Sequence, residues 1–126
     1  MIKIMYALRR HPDCSVAEFH RYWRTEHAEL VVRHATTIGL RRYVQSHTIN
    51  TVLDEPLRTV RSLEPEPYDG VAELYFDSVD VLTASLSDEA VQVVAAALVE
   101  DEGRFIDLAR SPIWIAEDTV VFDIST

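Results

Sequence analysis

Ser15-Val16-Ala17-Glu18 is the stretch that most limits what this chain can fold into. A Ser followed three residues later by Glu is a capping box, in which both side chains accept from backbone N–H groups that a helix start leaves unpaired. Cys14 and Phe19 fall at the flanking positions of a hydrophobic staple, which gives Cys14 a packing role instead of that of a reactive thiol. The predicted helix runs from Val16 to about His34, with Phe19, Trp23 and Leu30 on one stripe and Val16, His27 and Val31 beside it.

Strands lie on either side of this helix. Residues 2–9 alternate, Ile2, Ile4, Tyr6 and Leu8 against Lys3, Met5, Ala7 and Arg9, and both faces are apolar enough to be covered. His11-Pro12-Asp13 breaks this strand, and Gly39 closes the helix. Leu40 to Ile49 reads as a second strand, with Tyr43, Gln45, His47 and Ile49 on one face. Residues 51–68 carry Pro56, Pro65 and Pro67 without clean periodicity, as either a lid or binding loop or a plain surface excursion.

Asp69-Gly70 is a turn signal before a third strand, Val71 to Phe76, with Val71, Glu73 and Tyr75 opposite Ala72, Leu74 and Phe76. Asp77 or Ser78 caps a short helix through Leu86, and Ser87-Asp88-Glu89 starts another. Its Ala-rich run, Ala90 to Val99, favours close approach to a sheet. Gly103 interrupts it, Arg104 to Ala109 resumes as a helical turn, and Pro112 to Phe122 forms the last strand. The order is α+β and ferredoxin-like, βαββαβ: an antiparallel four-stranded sheet with helices on one face. The other face carries apolar side chains as well, so a second copy packed sheet to sheet, a homodimer, is its simplest cover.

A chain of 126 residues makes one domain, residues 1–126. The net charge of −9 excludes a broad nucleic-acid surface. Residues 1–63 hold ten basic and six acidic side chains, residues 64–126 two and fifteen. That asymmetry either steers self-association or simply solvates two faces. No run reaches the roughly 20 apolar residues of a membrane helix, and the N-terminal stretch does not read as a signal peptide. A single cysteine suits a reducing cytoplasm.

Phe19-His20-Arg21-Tyr22-Trp23-Arg24-Thr25-Glu26-His27-Ala28 resembles the first helix of the EthD family, in which a Phe, a Tyr-Trp pair and a downstream His recur. Further pieces match in order: Arg9-Arg10 after the first strand, Tyr68-Asp69-Gly70-Val71-Ala72-Glu73-Leu74, Asp77-Ser78, and Asp101 with Phe105 before the last strand. The resemblance implies a dimeric α+β barrel with a pocket between each sheet and its own helices. It also implies relatives that dehydrate, cyclise, decarboxylate or oxidise aromatic polyketides, many with neither metal nor organic cofactor.

His20, His27 and His34 recur every seven residues, but seven residues climb about 10.5 Å along a helix. One metal holds its imidazole nitrogens at about 2.1 Å, so the series argues against a metal site. No phosphate loop, nucleophile elbow or dinucleotide fingerprint is present, and no cofactor is expected. His27 is the candidate catalytic residue, an imidazole able to exchange a proton near neutral pH. Trp23, Tyr6, Tyr43, His47, Glu73, Tyr75 and Asp101 are candidate substrate contacts. The expected function is acid–base dehydration, cyclisation or isomerisation of a hydrophobic, aromatic or polyketide-like molecule. The alternatives are a cofactor-independent monooxygenase and a non-catalytic ligand-binding accessory protein.

Overall fold

β1 (Ile2–Leu8), β2 (Arg42–His47), β3 (Gly70–Phe76) and β4 (Ile113–Glu117) form one antiparallel sheet in the order β2-β3-β1-β4. This is seen in a computed structural model of the chain, which describes residues 1–61 and 66–125. The strand order and the helices packed on one side make this the ferredoxin-like α+β arrangement expected from the sequence.

The register decides which side chains look where. Tyr6 stands opposite Ala72 and Ile113, and Ile4 opposite Leu74 and Ile115, so these residues share the face turned to the helices. Met5 stands opposite Glu73 and Trp114, which puts them with Lys3 and Tyr75 on the outer face. The last strand is shorter than expected. Its ladder with β1 ends at Ile2 opposite Glu117, where β1 itself ends, so residues 118–125 have no strand to pair with.

The long helix divides into α1 (Val16–Tyr22), a π turn (Trp23–His27) and α2 (Ala28–Ile38). Ser15 Oγ accepts from Glu18 N at 3.1 Å, but the Glu18 carboxylate bonds Arg21, so only half of the capping box forms. Phe19, Trp23, His27 and Val31 are buried, whereas Leu30 is half-buried and Val16 exposed. The four buried residues are spaced by four. In a regular helix each such step drifts about 40° off one face. The wider π turn absorbs that drift and keeps Trp23 and His27 both pointing inward. Gly39, at φ 75°, ends α2 in the left-handed cap that glycine accepts most readily.

α3 (Glu55–Thr59) lies in the segment that showed no periodicity. Pro56 serves in its first turn, where the missing N–H is no loss. Residues 62–65, and Pro65 with them, lie outside the described residues. Ser78 caps α4 (Val79–Ser85), and Asp88 caps α5 (Glu89–Glu102) by accepting from the Ala90 and Val91 amides. Contrary to the close approach expected of its alanines, α5 packs against α2 and the π turn and stands off the sheet, with Ala95 and Ala96 exposed on their helix.

No helix resumes at Arg104. Phe105 and Ile106 drop into the core with Leu8, Phe19, Trp23 and Ala72, and a 3-10 turn forms only at Leu108–Arg110. Gly70 is the first residue of β3 and not part of a tight turn. A Cβ there would overlap the Trp23 indole and approach the Ser46 carbonyl oxygen at 2.8 Å, so the position answers to packing. No single described helix is long and apolar enough to cross a membrane.

Candidate active site

Because α5 stands off the sheet, a cavity of about 250 Å³ opens between them, next to the buried core. Its floor is Ile4, Tyr6, Leu8, Ala72 and Leu74, and its walls include Trp23, His27, Val31, Leu98 and Glu102. Such a concave, chiefly apolar space with a few convergent polar groups is the usual form of a small-molecule site.

His27 is the polar group at the end of the π turn and is only 5% exposed. Its Nδ1 lies 2.7 Å from Asp101 Oδ2. A carboxylate only accepts, so Nδ1 carries the ring hydrogen and Nε2 is left as the free basic position. Asp101 also accepts from Tyr22 OH at 2.6 Å and from the Arg104 guanidinium at 2.8 Å. Burial alone would raise the Asp101 carboxyl, but the bonds from Tyr22, His27 and Arg104 outweigh it and hold the group below the usual range. Burial holds the His27 imidazole below its ordinary value, against the pull of Asp101, so the resting ring is neutral. A neutral imidazole with a fixed tautomer and a carboxylate behind it is equipped to take a proton and to keep the resulting cation paired.

The π turn is tied to the sheet through Gln45, which the sequence did not single out. Gln45 Nε2 donates to the Trp23 carbonyl at 2.8 Å and to Tyr43 OH at 2.9 Å. Gln45 Oε1 therefore accepts from His47 Nε2 at 2.8 Å, which leaves His47 Nδ1 to accept from His20 Nδ1 at 2.7 Å. Burial depresses both histidines, His47 to about 4 with help from the Arg24 and His20 charges. The alternation Tyr43, Gln45, His47 had placed Gln45 on this face already. What the sequence lacked was any sign of the π turn, whose Trp23 carbonyl accepts from Gln45 as well as from the Ala28 amide.

Tyr6, Trp23, Tyr43 and His27 line the cavity, and Asp101 stands directly behind His27. His47 does not line it; its ring packs on the Trp23 indole at 4.3 Å between centroids. Glu73 and Tyr75 are turned away, because strand alternation puts them on the outer sheet face, where Glu73 pairs with Lys3 and Tyr75 OH donates to Asp118. Glu102, which lines the cavity, was not singled out in the sequence, where it reads as one more acid in the run Glu100-Asp101-Glu102. Among the described residues, no group of three or more His, Cys, Asp and Glu side chains is placed to hold a metal ion.

Fold and cavity together define a ferredoxin-like α+β protein with a partly open, mainly apolar pocket between sheet and helices. The EthD domain model matches residues 11–109, most of the chain, and the protein belongs to the EthD family. It is similar to an ethyl tert-butyl ether D (EthD) family protein from Bacillus halodurans, with 18% identity over 94% of this chain and 99% of that one and a TM-score of 0.61. It is also similar to a dimeric ferredoxin-like protein of unknown function from Bacteroides fragilis, with 12% identity, coverage of 93% and 95% and a TM-score of 0.57. HapK from Hahella chejuensis matches with 12% identity, coverage of 100% and 99% and a TM-score of 0.55. At these identities the likeness speaks for the fold alone. No curated protein matches the chain.

Proposed function

We propose that the protein is a small-molecule enzyme that moves protons at carbon and oxygen in its apolar cavity. The supporting observation is His27, a neutral buried imidazole on the wall of an otherwise apolar space with Asp101 fixed behind it. With Nδ1 committed to Asp101, Nε2 is the atom that removes a hydrogen next to a carbonyl, the step shared by dehydration, cyclisation and isomerisation of polyketide-like ketones. The substrate is uncharged and chiefly aromatic or alicyclic, since the described cavity-lining residues are mainly apolar and include no lysine or arginine to receive an anion.

Hydrogen exchange into β-tetralone in deuterated water, followed by proton NMR, tests this reading. Wild-type protein is expected to speed exchange at the carbon beside the carbonyl, and His27→Gln to slow it about a hundredfold while keeping the thermal unfolding midpoint. Ketone binding unchanged in His27→Gln, without exchange in either protein, overturns catalysis and leaves a ligand-binding protein. Substrate-dependent oxygen uptake would instead favour the monooxygenase reading.

We further infer that a second copy covers the outer sheet face. Met5, Val44, Val71 and Trp114 lie there, with Trp114 46% exposed, and the similar Bacteroides fragilis protein is described as dimeric.

A further inference from the structure

α5 ends by sending two adjacent carboxylates to two different walls. Asp101 turns to the π turn and holds His27, whereas Glu102 turns to the sheet, where Tyr6 OH donates to its Oε1 at 3.0 Å. Both Glu102 and His27 face the same cavity. Asp101 has a guanidinium to balance it; among the described residues Glu102 has only a phenol, and no lysine or arginine lines the space it occupies. The titratable groups around it are Tyr6 and Tyr43 from the sheet and His27 from the π turn, which share its cavity, with the Asp101 charge beside it on α5. A carboxyl in an apolar wall without a cation is stabilised by keeping its proton. Burial, aided by the Asp101 charge and opposed by the Tyr6 bond, accordingly holds Glu102 above the usual carboxyl range.

We propose that Glu102 is the second proton-transfer residue of this cavity: a carboxylic acid that protonates the departing oxygen of an uncharged β-hydroxy ketone while His27 removes the hydrogen beside the carbonyl. This rests on the acid–base reading of the cavity and adds a partner to it. His27 Nε2 takes the hydrogen, and the C–H electron pair becomes the new C=C bond. The C–O bond breaks with its pair on oxygen, the Glu102 proton joins that oxygen, and water leaves. His27 is then protonated and Glu102 ionised, and transfer of one proton from His27 back to Glu102 through water restores both. No oxidant or reductant is consumed. Tyr6 is the positioning residue, because its hydroxyl occupies Oε1 and leaves Oε2 to carry the proton.

Two ketones separate the roles. A β-hydroxy-β-phenyl methyl ketone must have its leaving oxygen protonated, whereas the same ketone bearing a β-(p-nitrophenoxy) group expels its leaving group unaided. Glu102→Gln is expected to slow loss of water about a hundredfold and loss of p-nitrophenoxide less than about threefold, while His27→Gln slows both about a hundredfold. Glu102→Asp, which keeps the acid one methylene further back, is expected to be slower than wild type but to retain the leaving-group dependence. It serves also where Glu102→Gln fails to fold. Tyr6→Phe is expected to shift the pH profile of water loss without changing that of p-nitrophenoxide loss. Equal slowing of both ketones by Glu102→Gln, or of neither, overturns the role of Glu102 and leaves that of His27 standing. Failure of His27→Gln to slow either ketone, or no turnover of either by wild-type protein, overturns both.

Discussion

His27 and Asp101 are seventy-four positions apart in the chain and 2.7 Å apart in space. The bond joins the π turn to the last turn of α5, and its acid end is held from two further sides by Tyr22 and Arg104. When the imidazole gains a proton, its counter-charge is already oriented, so no rearrangement is required at that moment.

Asp101→Asn tests the value of that counter-charge. The single amide oxygen is held at the Oδ1 position, where Tyr22 and Arg104 both donate. The NH2 group therefore faces Nδ1, moves the ring hydrogen to Nε2 and offers no negative charge to an imidazolium. β-Tetralone exchange is expected to fall about a hundredfold at neutral pH, while the circular dichroism spectrum stays that of wild type. Unchanged exchange would show that Asp101 only positions the ring.

Gly70→Ala tests the contact between β3 and the indole. The new methyl group has nowhere to go without moving Trp23 or the Ser46 carbonyl. Urea unfolding is expected to report a loss of about 1–3 kcal/mol, the usual cost of overpacking. The cavity should also bind ketones more weakly, because Trp23 forms part of its wall.

Acid should destabilise the fold well before the carboxylates titrate. His20, His27 and His47 all have values held below the ordinary 6.5 by burial, so the unfolded chain binds protons first. Their contribution is complete above about pH 6.5 and is lost as the pH falls through that value toward about 4, the position of His47. Glu102 works in the opposite direction, since burial raises it and the folded state keeps its proton longer. Urea midpoints measured from pH 7.5 down to about 4.5 should therefore fall, and fall less steeply in His47→Gln. A flat profile would contradict the burial of these rings.

Trp114→Glu tests the inferred pairing of two sheets. The side chain is on the outer face and away from the cavity. Sedimentation is expected to show a dimer for wild type and a monomer for the variant, with an unchanged far-ultraviolet spectrum. A wild-type monomer would sink the pairing.

Element order and the division of β1 and β3 into two faces were legible because alternation and capping are local. Which face met the helices was not, because both faces of β1 are apolar; only the pairing of Tyr6 with Ala72 and Ile113 settles it. For the same reason Glu73 and Tyr75, read as candidate contacts, turn outward. His27 and Asp101 were each legible as single residues, but their bond depends on how far α5 stands from the sheet, which no local pattern encodes. Glu102 was hidden by its neighbours in an acidic run. Gly70 was read through its Asp-Gly dipeptide, and the indole that requires it is forty-seven positions away.

The widened turn at Trp23–His27 means that spacing, and not residue identity alone, aims the imidazole. Arg24, Thr25 and Glu26 within it are exposed, and replacing any of them one at a time would be expected to do little. Removing one altogether would close the turn to ordinary pitch and leave Trp23 and His27 three residues apart, about 60° off a common face. A deletion scan should thus find an essential segment where a substitution scan finds only tolerant surface.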